Sequence, residues 1–278
     1  GASLLDVNIG QPGIDEVTTI KTVVGLLSTI SKLPLVIDSS RIETIEAALR
    51  LYPGRMLINS ISGETQKMAR LLPLAAKYGA MFILLPLPTG DSPQTAKKRE
   101  TVIKNIFAKA KTFGLTKDDF VVDCLVMAVA SDFKAAKETL ATLKWCEEIF
   151  NSKTILGLSN FSFGMPGRPW LNAAFLSMAQ YLGLTMAIAH PASTEIMNIK
   201  KAGEVLTSKD RAAQSFIEYF SAPAVVASSP AAAKALTLEG KITSAIVDGN
   251  RENIVNLTRL SDSIAAIITE ALAGELCF

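Results

Sequence analysis

Seven short apolar runs, each four to seven residues long, recur through the first 190 residues, and five of them close on aspartate, asparagine or serine. They occupy 3–8, 34–38, 55–59, 80–86, 120–123, 154–158 and 184–189. Apolar nearly throughout, they read as strands buried on both faces. Longer amphipathic stretches at 15–32, 41–51, 65–78, 96–113, 133–150 and 171–181 separate them. In the fourth stretch Ile103, Ile106, Phe107 and Ala110 recur at helical spacing. Strand-to-strand intervals of about 20 to 37 residues match βα units, so the sheet is parallel, either open or closed into a barrel. The Gly-rich first turn of a doubly wound nucleotide-binding sheet is missing, which favours the barrel. The expectation is an α/β fold, a TIM (βα)8 barrel lacking its first βα unit in this chain, with that unit lying upstream. The barrel is expected over 1–221. A Pro- and Ser-containing linker then leads into helical patterns at 231–248 and 252–273, so 222–278 reads as a helical extension.

Composition narrows the chemistry. With 28 Lys and Arg against 26 Asp and Glu, the net charge of +2 gives no electrostatic footprint for nucleic acid. No apolar run approaches the roughly 20 residues that span a bilayer. Residue 1 already opens a strand-like segment, so no signal peptide is expected. Three widely spaced cysteines, Cys124, Cys146 and Cys277, make no disulfide framework and fit a reducing cytoplasm. There is one histidine, His190, and no CxxC, HExxH, GxGxxG, GxxxxGK[ST] or GxSxG motif. His190 closes the last run, where a structural or loop contact is the plainer role. Chemistry is left to carboxylates, amides and hydroxyls.

The strand ends carry the signal. Leu4-Leu5-Asp6-Val7-Asn8, Val36-Ile37-Asp38-Ser39-Ser40, Leu57-Ile58-Asn59-Ser60, Val121-Val122-Asp123 and Gly157-Leu158-Ser159-Asn160 all turn from apolar to polar at the same place. In a parallel barrel the strand C-termini share one mouth, so these side chains converge there. Carboxylates accept paired N–H bonds and amides read one donor and one acceptor, which suits a neutral heterocycle rich in N–H and C=O groups. The competing reading is helix capping, since Asp or Ser after a strand commonly satisfies the N–H groups of the next helix. Capping competes on about even terms at any one position. Five such ends in one chain favour a ligand site.

Read in order, the segments LDVN (5–8), IDSS (37–40), LINSISGE (57–64), VVDCL (121–125) and LGLSNFSFGMPGRPWLN (156–172) resemble the pterin-binding methyltransferase family. That family includes the folate domain of cobalamin-dependent methionine synthase and the methyltetrahydrofolate:corrinoid protein methyltransferases, with dihydropteroate synthase a more distant relative. The resemblance implies a (βα)8 barrel binding methyltetrahydrofolate at its C-terminal face. It further implies transfer of the N5-methyl group to or from a corrinoid (cobalamin) cobalt, supplied by a partner protein or another domain. Carried over by motif, Asp38, Asn59 and Asp123 should hydrogen-bond the pterin, and Asn160 should reach N5. Asp6 and Asn8 line the same mouth, while Ser159 and Arg168 are candidates for packing or for the folate tail. Asn160 and Asp123 are the expected catalytic residues. Met165, Pro166 and Trp170 could make an apolar rim for the corrinoid or pack in the core.

Two departures from the family stand out: its first strand is not in this sequence, and Cys124 replaces a common proline. The stretch 241–257 resembles the opening of the cap that precedes a cobalamin domain, although the Asp-x-His-x-x-Gly motif is absent. The resemblance implies neither nucleic acid nor membrane as partner, and it raises pairing into a homodimer. Two other functions compete. A dihydropteroate-synthase-like condensing enzyme is disfavoured by Asn160, where that enzyme has a basic residue. A non-catalytic pterin or corrinoid-protein docking module would retain the same pterin-site residues.

Overall fold

The computed structural model describes residues 2–11 and 13–221. Seven parallel strands lie side by side in chain order: β1 (Leu5–Asn8), β2 (Leu35–Asp38), β3 (Leu57–Gly63), β4 (Met81–Pro88), β5 (Phe120–Asp123), β6 (Thr154–Gly157) and β7 (Met186–Ile188). They alternate with helices α1 (Glu16–Ile30), α2 (Ile42–Leu51), α3 (Thr65–Tyr78), α4 (Ala96–Lys111), α5 (Ala135–Trp145), α6 (Arg168–Tyr181) and α7 (Thr194–Leu206), and α8 (Gln214–Ser221) follows. This is the order of a TIM-like barrel short of one βα unit, as the sequence predicts. The predicted domain boundary at 221 and the hairpin of 222–278 lie outside the described residues.

Side chains on each strand alternate between two packing layers. Ile37, Ile58, Phe82, Leu84, Val122 and Leu156 point outward and join one buried cluster with Ile20, Val24, Ile45, Leu72, Ile103, Leu143 and Ala179 from the helices. Val36, Leu57, Ile83, Val121 and Ile155 point inward and form a second cluster, flanked by Leu4, Met81, Met186 and Ile188. Burying a side chain of this size contributes roughly 1.5–3 kcal/mol, so two apolar layers outweigh any local strand preference. The inner cluster is the floor of the barrel mouth.

Several boundaries differ from the sequence pattern. β3 continues four residues past Asn59, through a register shift against β4 between Ile58 and Ile61. The polar pair Asn59-Ser60 interrupts the apolar run there without ending the strand. β7 is shorter than 184–189, and His190 lies beyond it in a turn, where its Nδ1 accepts the Ala192 N–H at 3.1 Å. The helix expected over 133–150 begins at Ala135 and passes at Cys146 into a π-helical turn, Cys146–Phe150. α7 has no counterpart in the sequence reading, because it buries only Ile196 and Met197 and so carries a weak apolar stripe. No described helix is long and apolar enough to cross a membrane.

Candidate functional site at the barrel mouth

Strand geometry lifts the polar strand ends onto the floor. Moving two residues along a strand returns to the same face. Asp6 follows Leu4, Asp38 follows Val36, Asn59 follows Leu57, Asp123 follows Val121 and Gly157 follows Ile155, each preceding residue belonging to the floor cluster or packing on it. Register aligns Asn8 with Asp38 and Asp38 with Asn59 across three adjacent strands. The mouth is therefore a polar ring standing one pleat above an apolar plug.

Hydrogen bonds organise the ring. Asn8 Nδ2 donates to Asp38 Oδ2 at 2.9 Å, and Asn59 Nδ2 donates to Asp6 Oδ2 at 3.3 Å. Asp6 Oδ1 is buried and has no partner among the described residues. Such an acceptor is costly to leave unpaired, which marks it for a ligand N–H. Asp123 Oδ1 accepts the Leu125 N–H at 2.8 Å, with Leu125 in the left-handed region at φ 59°. A cavity of about 180 Å³ opens beside Asp38 and Asn59, walled by Ser39, Ser40, Ser60, Lys67 and Leu71.

Capping does not account for these groups. α1 is capped by the Asp15 side chain, which accepts from Val17 and Thr18 N–H, and α4 by Thr95. The cap residues of α2, α3 and α5 are Arg41, Glu64 and Lys134, none of whose side chains caps its helix. Asp38, Asn59 and Asp123 each stand short of those positions and bond elsewhere.

β6 delivers Asn160 differently. The strand ends at Gly157 and the chain enters a one-turn 3₁₀ helix, Leu158–Asn160. A Cβ on Gly157 would lie 3.0 Å from Asn160 Nδ2, so the amide folds back over the inward face of β6 into space a side chain would fill. Ser159 contributes its carbonyl, which accepts from Arg168 Nη2 at 3.2 Å. Arg168 Nε also donates to Ser162 Oγ at 3.1 Å, so this arginine holds the loop that carries Asn160.

Burial sets the charge state of the ring. It pushes the Asp6 carboxyl up to about 6, with the Asp38 charge adding to the rise and the Asn59 bond opposing it. Asp123 is also raised to about 6 by burial, against the Leu125 N–H and the Arg99 guanidinium. Asp38 is raised by burial, opposed by Asn8. Carboxylates drawn from water in this way gain most from N–H donors brought by a ligand.

The sequence reading did not single out Arg99, Thr139, Phe133 or Phe163. Phe133, Phe163 and Trp170 are exposed by 82%, 60% and 76%, which excludes core packing for Trp170. Trp170 lies in the first turn of α6, and the loops of Phe133 and Phe163, after β5 and β6, are joined by the Val129 N–H donating to Phe161 O at 3.0 Å. On the segments that follow β5 and β6, the three aromatics are the candidates for an apolar rim.

Known proteins place this architecture. The chain is 29% identical over 223 residues to the methylcorrinoid:tetrahydrofolate methyltransferase of Eubacterium limosum, covering 79% of this chain and 82% of that protein. It is 30% identical over 217 residues to the methionine synthase of Mycobacterium leprae, covering 73% of this chain but only 18% of that longer protein. Among solved structures it resembles the dihydropteroate synthase of Coxiella burnetii in complex with pteroic acid, with a TM-score of 0.58 at 18% identity over 76% of this chain and 82% of that one. The dihydropteroate synthase of Vibrio fischeri superposes with a TM-score of 0.60 at 17% identity, over 75% and 83% of the two chains. These structures share the fold. The model of the pterin binding enzyme family matches residues 1–190, the span that holds all seven strands and the polar ring, and the chain belongs to that family.

Proposed function

We propose that this protein binds methyltetrahydrofolate in the barrel mouth and moves its N5-methyl group to or from a corrinoid cobalt carried by a partner protein or domain. The observation that carries the reading is the ring of Asp6, Asn8, Asp38, Asn59 and Asp123 with Asn160 folded over Gly157. A pterin edge is rich in N–H donors, and the ring offers raised carboxylates and one unpaired buried oxygen. The two relatives named above, one a corrinoid methyltransferase and the other a methionine synthase, support this reading. Asn160 supports methyl transfer over condensation, because a condensing synthase is expected to carry a cation after the serine.

The described residues contain no group of three or more His, Cys, Asp or Glu that could hold a metal ion. When docked, the corrinoid supplies the cobalt nucleophile that takes the methyl group. This chain's residues act on the pterin. Asp38, Asn59 and Asp123 orient the ring, and Asp6 Oδ1 accepts a ligand N–H. N5 is a poor leaving group unless it carries a proton as the C–N bond breaks. Asn160 Oδ1 accepts from N5–H⁺ once N5 has taken a proton from solvent, a bond the unprotonated ground state lacks, and so favours the path on which N5 leaves as a neutral N–H amine more than it tightens binding. The exposed Phe133, Phe163 and Trp170, on the segments that follow β5 and β6, receive the partner.

Calorimetric titration of the protein with methyltetrahydrofolate, paired with a spectroscopic assay of methyl transfer to a reduced corrinoid protein, tests the reading. Saturable binding that Asp123→Ala abolishes is expected, with Asn160→Ala lowering kcat on the order of 10²-fold and changing affinity far less. Binding without transfer would reduce the protein to a docking module. Condensation of p-aminobenzoate with a pterin pyrophosphate would replace the methyltransferase reading with the synthase one.

A further inference from the structure

Arg99 is a charged residue with no place in the ring, and it is the bulkiest of the fully buried side chains, 1% exposed. Sealing a guanidinium in an apolar layer is expensive unless its donors are used. Here they are used on backbone. Nε donates to Pro93 O at 3.0 Å, and Nη1 donates to Cys124 O at 3.0 Å and to Thr139 Oγ1 at 3.2 Å. Thr139, itself fully buried, donates its hydroxyl hydrogen bond to Leu125 O at 2.9 Å. Leu125 in turn gives its N–H to Asp123. The circuit runs from α4 through α5 to the two peptides after Asp123, at the point where φ becomes positive.

We infer that Arg99 is the positioning residue of Asp123, its guanidinium and the Thr139 hydroxyl together gripping the carbonyls of Cys124 and Leu125 so that the carboxylate is held at one place in the mouth. The inference rests on the proposed folate site only for its ligand; the circuit stands without one. A purely structural arginine would hold these carbonyls without moving the Asp123 titration. A positioning arginine also acts through charge, because it stabilises the ionised carboxylate against burial. Among the described residues, the other charged or titratable groups around the pair are Asp132, Glu138 and the Cys124 thiol, itself beside Cys146. Glu138 is engaged by the Ala96 N–H at 2.7 Å, and the flanking strands present Leu84 and Ile155 at this level.

The test follows the Asp123 carboxyl by ¹³C NMR across pH 4–9 in the unliganded protein, alongside methyltetrahydrofolate titrations over the same range. In Arg99→Met the carboxyl should titrate about one pH unit higher and affinity at pH 7.5 should fall about tenfold. Arg99→Lys keeps the charge but not the fork, so the titration should return close to wild type with affinity still reduced about threefold. Thr139→Val should weaken binding severalfold without moving the titration. If Arg99→Met does not fold, the lysine and valine variants decide. An Asp123 titration unmoved in folded Arg99→Met, or wild-type affinity in both other variants, overturns the inference. A moved titration in a protein that binds no folate would overturn the folate reading and leave the positioning role standing.

Discussion

Asp123 and Asp6 sit in the folded protein at a cost, and that cost has a sign and a pH window. Their carboxyls titrate near 6 instead of 3.8, so the ionised form is the penalised one. A folded pKa raised above the unfolded value contributes stability that is fully present below about 4 and lost as pH rises through about 6. Asp123→Asn keeps an acceptor for the Leu125 N–H and removes the charge. It should therefore raise stability at pH 7.5 by about 1–2 kcal/mol, below the ceiling of roughly 3 kcal/mol set by a two-unit shift, and change little at pH 4. Thermal unfolding at the two pH values checks this, and an unchanged midpoint at pH 7.5 refutes the buried-charge account. A second residue-scale outcome concerns Gly157. A methyl group there meets Asn160 Nδ2 at 3.0 Å and must displace it. Gly157→Ala should thus slow methyl transfer about tenfold or more while leaving folate affinity within about threefold.

These residues were not equally visible in the sequence. Asp6, Asp38, Asn59 and Asp123 could be read because each stands one pleat beyond an inward apolar residue, and period two needs no tertiary knowledge. Arg99 left a trace that a charge-blind reading passes over: positions 99, 103, 106 and 110 share one helical face, and all four are buried. The bend that brings Asn160 back over Gly157 depends on a 3₁₀ turn with no periodic signature.

Elements divide in the same way. All seven strands announce themselves, because a strand covered on both faces is a continuous apolar word. The ends are less legible. β3 runs on through Asn59-Ser60 because neighbouring ladder bonds with β4 resume at Ile61, information held in β4 and not in β3. α7 escapes notice because its amphipathic stripe is short, although Ser193 caps it by accepting the Ile196 N–H at 3.4 Å. Capping aspartates and mouth aspartates should respond oppositely to neutral substitution. Asp15 accepts two backbone N–H groups and the Thr18 hydroxyl at the start of α1. Asp15→Ala should cost about 1 kcal/mol in chemical denaturation, where Asp123→Asn should gain. Equal signs would show that the ring is another set of caps.

Across the whole molecule, the proposed function assigns ring and rim to different partners. The ring is set down in the mouth, while Phe133 and Phe163 stand exposed on the loops after β5 and β6 and Trp170 on the first turn of α6. If the rim receives a corrinoid protein, Phe163→Ala and Trp170→Ala should each raise the KM for that protein about tenfold, as loss of an aromatic anchor does, with folate affinity unchanged. Weakened folate binding in these variants would place the aromatics in the pterin pocket instead.

The two-residue offset between plug and ring bears on how such a barrel can change over evolutionary time. β1, β2, β3 and β5 each carry, two positions after a residue that packs in the floor, a polar residue proposed to recognise the ligand. A substitution at the second position alters the ligand contact of a single strand and leaves the shared floor intact, so specificity is open to point change one strand at a time. A single inserted or deleted residue between the two positions would turn the recognising side chain toward the helices. Variation in length should therefore collect beyond the mouth, in the loops, while the strands vary by replacement alone.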